Sequence, residues 1–331
     1  MPELRFCWLI ILVALLPMAG AAPVPAKPAI FYLAPNGDDH WTGGQPAANN
    51  QRTDGPLRSL SAALQHAGQA RRHGAGEVRI LLREGIYTPV EPIVLTAEDS
   101  DLSIAAWRRE TPVISGQTVI SGWKRSHFDS HIWQTEIAGV RNGDWIFHEL
   151  FVDGQRKERT RIPEQGFFRM VGSGVPGHPD ELQFHSGEIQ TALAQPEDVE
   201  LIVFAAWAQS RNQIRKVFDA SNIVSLAGSA LPNRAEPNGR FHIENAPVKL
   251  RPGQWYLDVR SGLLTYWPDT GEDIPNATIT APHLYDLVQI KGDAQHPAHG
   301  IDFRGITFAD TDWSLDGGSD LDMQAGQDHR Q

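Results

Sequence analysis

Residues 252–313 read PGQWYLDVRSGLLTYWPDTGEDIPNATITAPHLYDLVQIKGDAQHPAHGIDFRGITFADTDW, from Pro252 to Trp313. Trp255, Leu257 and Val259 alternate with polar neighbours, Ser261-Gly262 supplies a turn, and Leu264, Tyr266 and Pro268 lead out again. That is the pattern of a β-hairpin. A shorter unit, Leu287 to Ile290, ends at Lys291-Gly292. Two short apolar runs follow, Ile301-Asp302-Phe303 and Ile306-Thr307-Phe308, divided by Arg304-Gly305. Short strands with Gly and Asn/Asp at the corners are what a parallel β-solenoid needs. The stretch reads as a junction where a compact β module hands the chain back to stacked coils.

Upstream segments fit the same scheme. FYLAPNGDDHWTG (31–43) is a strand entering an Asn-Gly turn, and GPLRSLSAALQHA (55–67) contains the one clear helix, Leu57 to Ala67, with Ser59 as cap and Gly68 as stop. A helix here would cover the open end of the first coil. VRILLREGIYTPVEPIVL (78–95) and PVISGQTVISGWK (112–124) hold short strands between Gly and Pro corners, and Ile80 and Ile104 lie about one rung apart. From Trp123 the pattern changes to hairpins, among them Leu150-Phe151-Val152 before an Asp153-Gly154 turn.

Taken in this order and spacing, these motifs resemble the right-handed parallel β-helix proteins grouped around glycoside hydrolase family 141, over essentially all of the chain after residue 29. The resemblance implies an all-β fold: a pectate-lyase-like, right-handed parallel β-helix with an N-terminal capping helix, interrupted by a β-rich insertion domain. The expected division is 29–122 for the cap and first coils, 123–281 for the insertion and 282–331 for the return to the coils. It implies an exported carbohydrate-active protein, with known family activities on fucose- and xylose-containing plant polysaccharides. A β-helix polysaccharide lyase and a non-catalytic glycan-binding chain remain as alternatives.

Composition is consistent with this. The 331 residues are 41% hydrophobic and 21% charged, near globular averages, and 30 Gly with 23 Pro suit a short-stranded β protein. A formal charge of −11 without a basic cluster argues against nucleic acid or an anionic membrane as partner. Residues 1–22 read as a signal peptide: Arg5, an apolar run from Phe6 to Leu16, Pro17, and Ala19-Gly20-Ala21 for cleavage. The run is shorter than the roughly 20 residues that span a bilayer. A secreted or periplasmic protein, monomeric when full length, is expected. Cys7 is the sole cysteine and lies in that leader, so no disulfide is expected in the mature chain.

No phosphate loop, dinucleotide fingerprint, G-x-S-x-G elbow or H-E-x-x-H helix occurs, and no cofactor is expected. His283, His296 and His299 lack a zinc ligand pattern. Calcium is a weak alternative at Asp38-Asp39, which a turn explains more simply, and in the tail containing Asp310, Asp312, Asp316, Asp320 and Asp322. The tail fails as an EF-hand, because Leu315 and Leu321 occupy the glycine and glutamate positions. Arg108 and Arg109 read as a solvated turn. Glycoside hydrolysis needs two carboxyls on opposite sides of the scissile bond. Asp310 and Asp312, flanking Thr311 with Trp313 adjacent, are substrate-binding candidates: alternation would put both aspartates on one face as a subsite wall. Two residues so placed on one strand do not straddle a substrate. By the resemblance the catalytic carboxylates are expected beyond Gln331, so this chain reads as the N-terminal portion of a longer one, without appreciable turnover of its own.

Overall fold

The computed structural model describes residues 27–172, 175–189, 199–204, 208–228, 238–314 and 319–323. The signal peptide read at 1–22 and Asp316 of the acidic tail lie outside them. The described chain is nearly all β.

Its first part consists of parallel ladders. Ala29–Leu33, Val78–Leu82, Leu102–Ala106 and Asp302–Arg304 form one sheet, with Phe31, Ile80, Ile104 and Phe303 in a single row. The Ile80–Ile104 pairing is the one the sequence spacing suggests. Ile86–Tyr87, Val113–Ser115 and Thr307–Ala309 form a second ladder, and Ile93–Leu95 pairs with Val288–Ile290 in a third. Inward residues of these short strands (Leu33, Ile80, Leu82, Leu95, Ile104, Ile114) are fully or almost fully buried in one apolar cluster. Burying each such side chain contributes about 1.5–3 kcal/mol against conformational entropy.

The helix spans Leu60–Arg72, not Leu57 to Ala67. Its start is as expected, since the Ser59 hydroxyl accepts from the Ala62 amide and Asp39 accepts from the Arg58 and Ser59 amides. Gly68 does not stop it. A helical glycine costs only about 1 kcal/mol, and the apolar face of Leu60, Ala63 and Ala67 on the first sheet carries the helix past it to Gly74, whose φ of +84° ends it.

Between Val113–Ser115 and Val288–Ile290 the chain forms two eight-stranded sheets, the second of which also takes in Ser319–Met323. The first runs Gln117–Val119, Ile279–Pro282, Leu150–Val152, Gln155–Arg159, Gln254–Asp258, Leu263–Tyr266, Trp133–Glu136, Lys124–Arg125. Asp153 and Gly154, with φ of +49° and +76°, make the tight turn the Asp-Gly pair calls for. The hairpin that opens the organising stretch forms as expected, Trp255 opposite Tyr266 and Leu257 opposite Leu264. The second sheet runs Arg161–Ile162, Arg240–Glu244, Glu200–Phe204, Ala208–Phe218, Ile223–Leu226, Glu181–Gln183, with Phe168–Arg169 and Ser319–Met323 at its sides. The chain after Trp313 is therefore not only an acidic turn, because Ser319–Met323 pairs with Ala208–Asn212. Each sheet has its own apolar cluster, around Trp255 and Tyr266 in the first and around Phe241 and Leu201 in the second.

Candidate functional site

Glu200–Phe204 reads ELIVF, a charged residue heading an apolar strand. Alternation explains it. Leu201 and Val203 face the second sheet's core, whereas Glu200 shares the opposite face with Glu244, Arg211 and His242 on neighbouring strands. That opposite face is closed by Arg159, His148 and the Asp312–Trp313 segment.

Glu200 is completely buried and accepts from Arg159 Nη1 at 2.8 Å and Arg211 Nη1 at 2.5 Å. Arg211 reaches on to Glu244 at 2.6 Å, and Glu244 meets His242 Nε2 at 2.9 Å. His148 bridges two carboxylates. Its Nδ1 lies 3.0 Å from Asp312 Oδ1 and its Nε2 3.3 Å from Glu200 Oε1. The His148 amide also donates to Asp312 Oδ2, and the Trp313 amide to Oδ1. With an acceptor at both ring nitrogens, His148 is held as the doubly protonated imidazolium. Three cations (Arg159, Arg211, His148) then face three carboxylates (Glu200, Glu244, Asp312), which is how a buried cluster of charges is tolerated.

Titration follows from these contacts. Burial pulls His148 down, but the hydrogen bonds to Asp312 and Glu200 outweigh it and the net value is raised. Burial pushes Glu200 up, yet Arg159, His148 and Arg211 together hold it well below the carboxylate range. Burial likewise opposes Glu244, whose bond to His242 and pairing with Arg211 bring it down to about 2. Glu149 moves the other way. Burial raises it, Arg156 at 3.0 Å partly offsets this, and Asp312 and Asp310 push it further up.

Of the three residues picked from the sequence, Asp312 and Trp313 enter this cluster and Asp310 does not. Asp310 has φ of +58°, which breaks the alternation expected of an extended 310–312 segment, and its carboxylate accepts from Ser115 at 2.7 Å. Asp312 is buried among protein donors. Trp313 stacks on His148 with centroids 3.8 Å apart and carries the Arg211 guanidinium at 4.8 Å. These contacts tie up Asp312 and cover much of the indole. They leave Asp310 and Glu149, half-buried, as the carboxyls at the margin. Sequence reasoning missed Glu149, His148, Arg159, Glu200, Arg211 and Glu244. The one local signal was the glutamate in an otherwise apolar strand; the partners come from segments up to 164 residues apart.

Of the calcium candidates, Asp39 caps the helix start and Asp38 holds His40. Among the described residues no group of three or more His, Cys, Asp or Glu is placed to hold a metal ion.

No family model and no curated protein matches the sequence. Among solved structures, a complex of XylC with xylose aligns with a TM-score of 0.40 and 13% identity over 85% of this chain and 35% of that one, a likeness that carries no argument. A glycoside hydrolase aligns with a TM-score of 0.71 and 23% identity over 86% of this chain and 51% of the other. The chain thus spans about half the length of that hydrolase and has a glycoside hydrolase-like fold.

Proposed function

We propose that the protein is carbohydrate-active and binds a plant-type polysaccharide containing fucose or xylose. The observation that supports this reading most is the register of the parallel ladders within a glycoside hydrolase-like fold. On this reading the ladders are turns of a right-handed, pectate-lyase-like parallel β-helix, and residues 123–281 are its insertion. The Asp310–Trp313 segment adjoins the sugar site as part of its wall. The buried charges behind it fix that wall in place and do not touch sugar. Asp310 and Glu149 are the carboxyls that meet hydroxyls. We further propose export with loss of residues 1–22, so the mature protein is secreted or periplasmic. Mass spectrometry of exported protein that still begins at Met1 would refute that part.

The functional test is affinity electrophoresis and isothermal titration with fucosylated oligosaccharides, xylan and an unrelated charged polymer, with reducing ends scored in parallel. Retardation by a fucose- or xylose-containing glycan, unchanged by EDTA, is expected. Absence of both binding and product across the panel overturns the reading. Product formation lost in Glu149→Gln would add proton transfer to that carboxyl's role, since a raised value suits a general acid.

A further inference from the structure

The outward face of the first eight-stranded sheet carries an arrangement that the buried cluster does not use. Three adjacent strands, Trp133–Glu136, Leu263–Tyr266 and Gln254–Asp258, bury Thr135, Leu264, Tyr266, Trp255 and Leu257 on the inward side. The alternate residues Gln134, Thr265 and Tyr256 form a row across the other side, with Gln134 opposite Thr265 and Thr265 opposite Tyr256. Gln134 Nε2 donates to Thr265 Oγ1 at 3.2 Å.

Trp267 extends this outward series. The ladder persists there, as the Trp267 amide donates to Gln254 and the Gly253 amide donates back to Trp267. Trp267 is thus the diagonal neighbour of Tyr256, a relation that spaces two side chains by about 7–8 Å. Both rings are partly buried, and neither belongs to an apolar core. His131 lies flat on Trp267, 5.2 Å between centroids at 22°, and is steadied by Asp129. In the same loop Phe128 stands wholly in solvent, while the Ser126 amide closes the loop on Ile132.

We propose that this face, centred on Tyr256 and Trp267, binds a neutral glycan chain. Two aromatic rings beside an amide and a hydroxyl suit a pyranose, which offers a C–H face to a ring and hydroxyls at its rim. The three residues Gln134, Thr265 and Tyr256 are themselves uncharged, with Lys124 opposite Gln134 at the end of the row and Glu136 and Asp258 in the next one. The inference rests on the carbohydrate reading and gives it a second binding surface, on the outward side of this sheet.

The test compares the full chain with Trp267→Ala, Tyr256→Ala, the double variant and Trp267→Phe, by titration with xylan and fucosylated oligosaccharides. All these positions face outward, and near-UV circular dichroism confirms that each variant is folded. Loss of about tenfold in affinity is expected for each ring removed, with Trp267→Phe retaining most of it. Glycan binding by the parent chain that persists undiminished in a folded double variant overturns the platform and leaves the carbohydrate reading standing. Absence of any glycan binding by the parent chain overturns both.

Discussion

Glu200 is the residue on which the most contacts converge, and its removal should be felt more than that of any surface acid. Glu200→Gln leaves the guanidinium groups of Arg159 and Arg211 buried with one carboxylate fewer. A loss of about 3–5 kcal/mol is expected, read from urea midpoints, because an unpaired buried charge costs more than the pair contributed. Replacing both arginines and Glu200 with apolar residues of matching volume should cost far less. The same cluster sets a pH window. Glu244 is about 2 in the fold against an ordinary 4.5, so its contribution is complete above 4.5 and disappears as pH falls toward 2. Glu200 acts in the same direction. His148 is raised above 6.5, so its contribution is complete below 6.5 and is lost as pH rises through its folded value. Glu149, also raised, takes stability away as it ionises above 4.5. Urea midpoints measured over this range should fall on both sides, and His148→Gln should flatten the alkaline limb and, by removing one of the groups that hold Glu200 down, also weaken the acid limb. An unchanged alkaline limb in that variant would show that His148 is not the titrating group.

Helix and strands differ in how openly the sequence announced them. Ser59 was legible as a cap because its hydroxyl acts locally, on Ala62. Ser59→Ala should cost about 0.5–2 kcal/mol. Gly68 misled because a glycine can mark a helix end or merely sit within one, and only packing decides. Its added Cβ would meet nothing nearer than an Arg72 nitrogen at 3.5 Å, so Gly68→Ala should stabilise by about 0.5–1 kcal/mol in thermal unfolding. Gly85→Ala should do the reverse, with φ of +136° and a Cβ that would strike Pro35. The hairpin strands were legible because each buries one face, so their alternation was visible. The charged face of Glu200–Phe204 and Arg240–Glu244 was not. Arg211, Glu244 and His148 look like ordinary surface residues until tertiary packing covers them, and nothing within a few residues of each says that it will. The direction of Asp310 was hidden for a related reason: one left-handed residue, with φ of +58°, suffices to break the alternation with Asp312.

At the scale of the molecule, corner glycines and short apolar runs marked the short strands, only the family resemblance implied that they run parallel, and the change to hairpins marked antiparallel strands such as Gln254–Asp258 and Leu263–Tyr266. The way the pieces lock together was not readable, since it depends on contacts between distant segments. Val288–Ile290, Asp302–Arg304 and Thr307–Ala309 each end a ladder among the described residues, with Ile290 and Phe308 substantially exposed. Open strand edges favour pairing with another chain. Sedimentation of this 331-residue chain should therefore show concentration-dependent association, reduced in Phe308→Lys; identical behaviour of the two would exclude this edge as the cause. The pairing of Gln117–Val119 with Ile279–Pro282 has a consequence for the order of events in folding. Ser103 and Asp302 stand 199 residues apart, against roughly one coil for the pairings before them. Three doublings of loop length add about 2 kcal/mol of closure entropy. Once the first eight-stranded sheet has formed, its outermost pair holds the two ends of that long excursion side by side, and most of the closure is already done. The late row should wait for it. In pulse-labelled refolding, amides of Leu150–Val152 and Leu263–Tyr266 should gain protection before those of Asp302–Arg304. The excursion would then act as an internal template, setting the moment at which Asp302–Arg304 can dock on Leu102–Ala106.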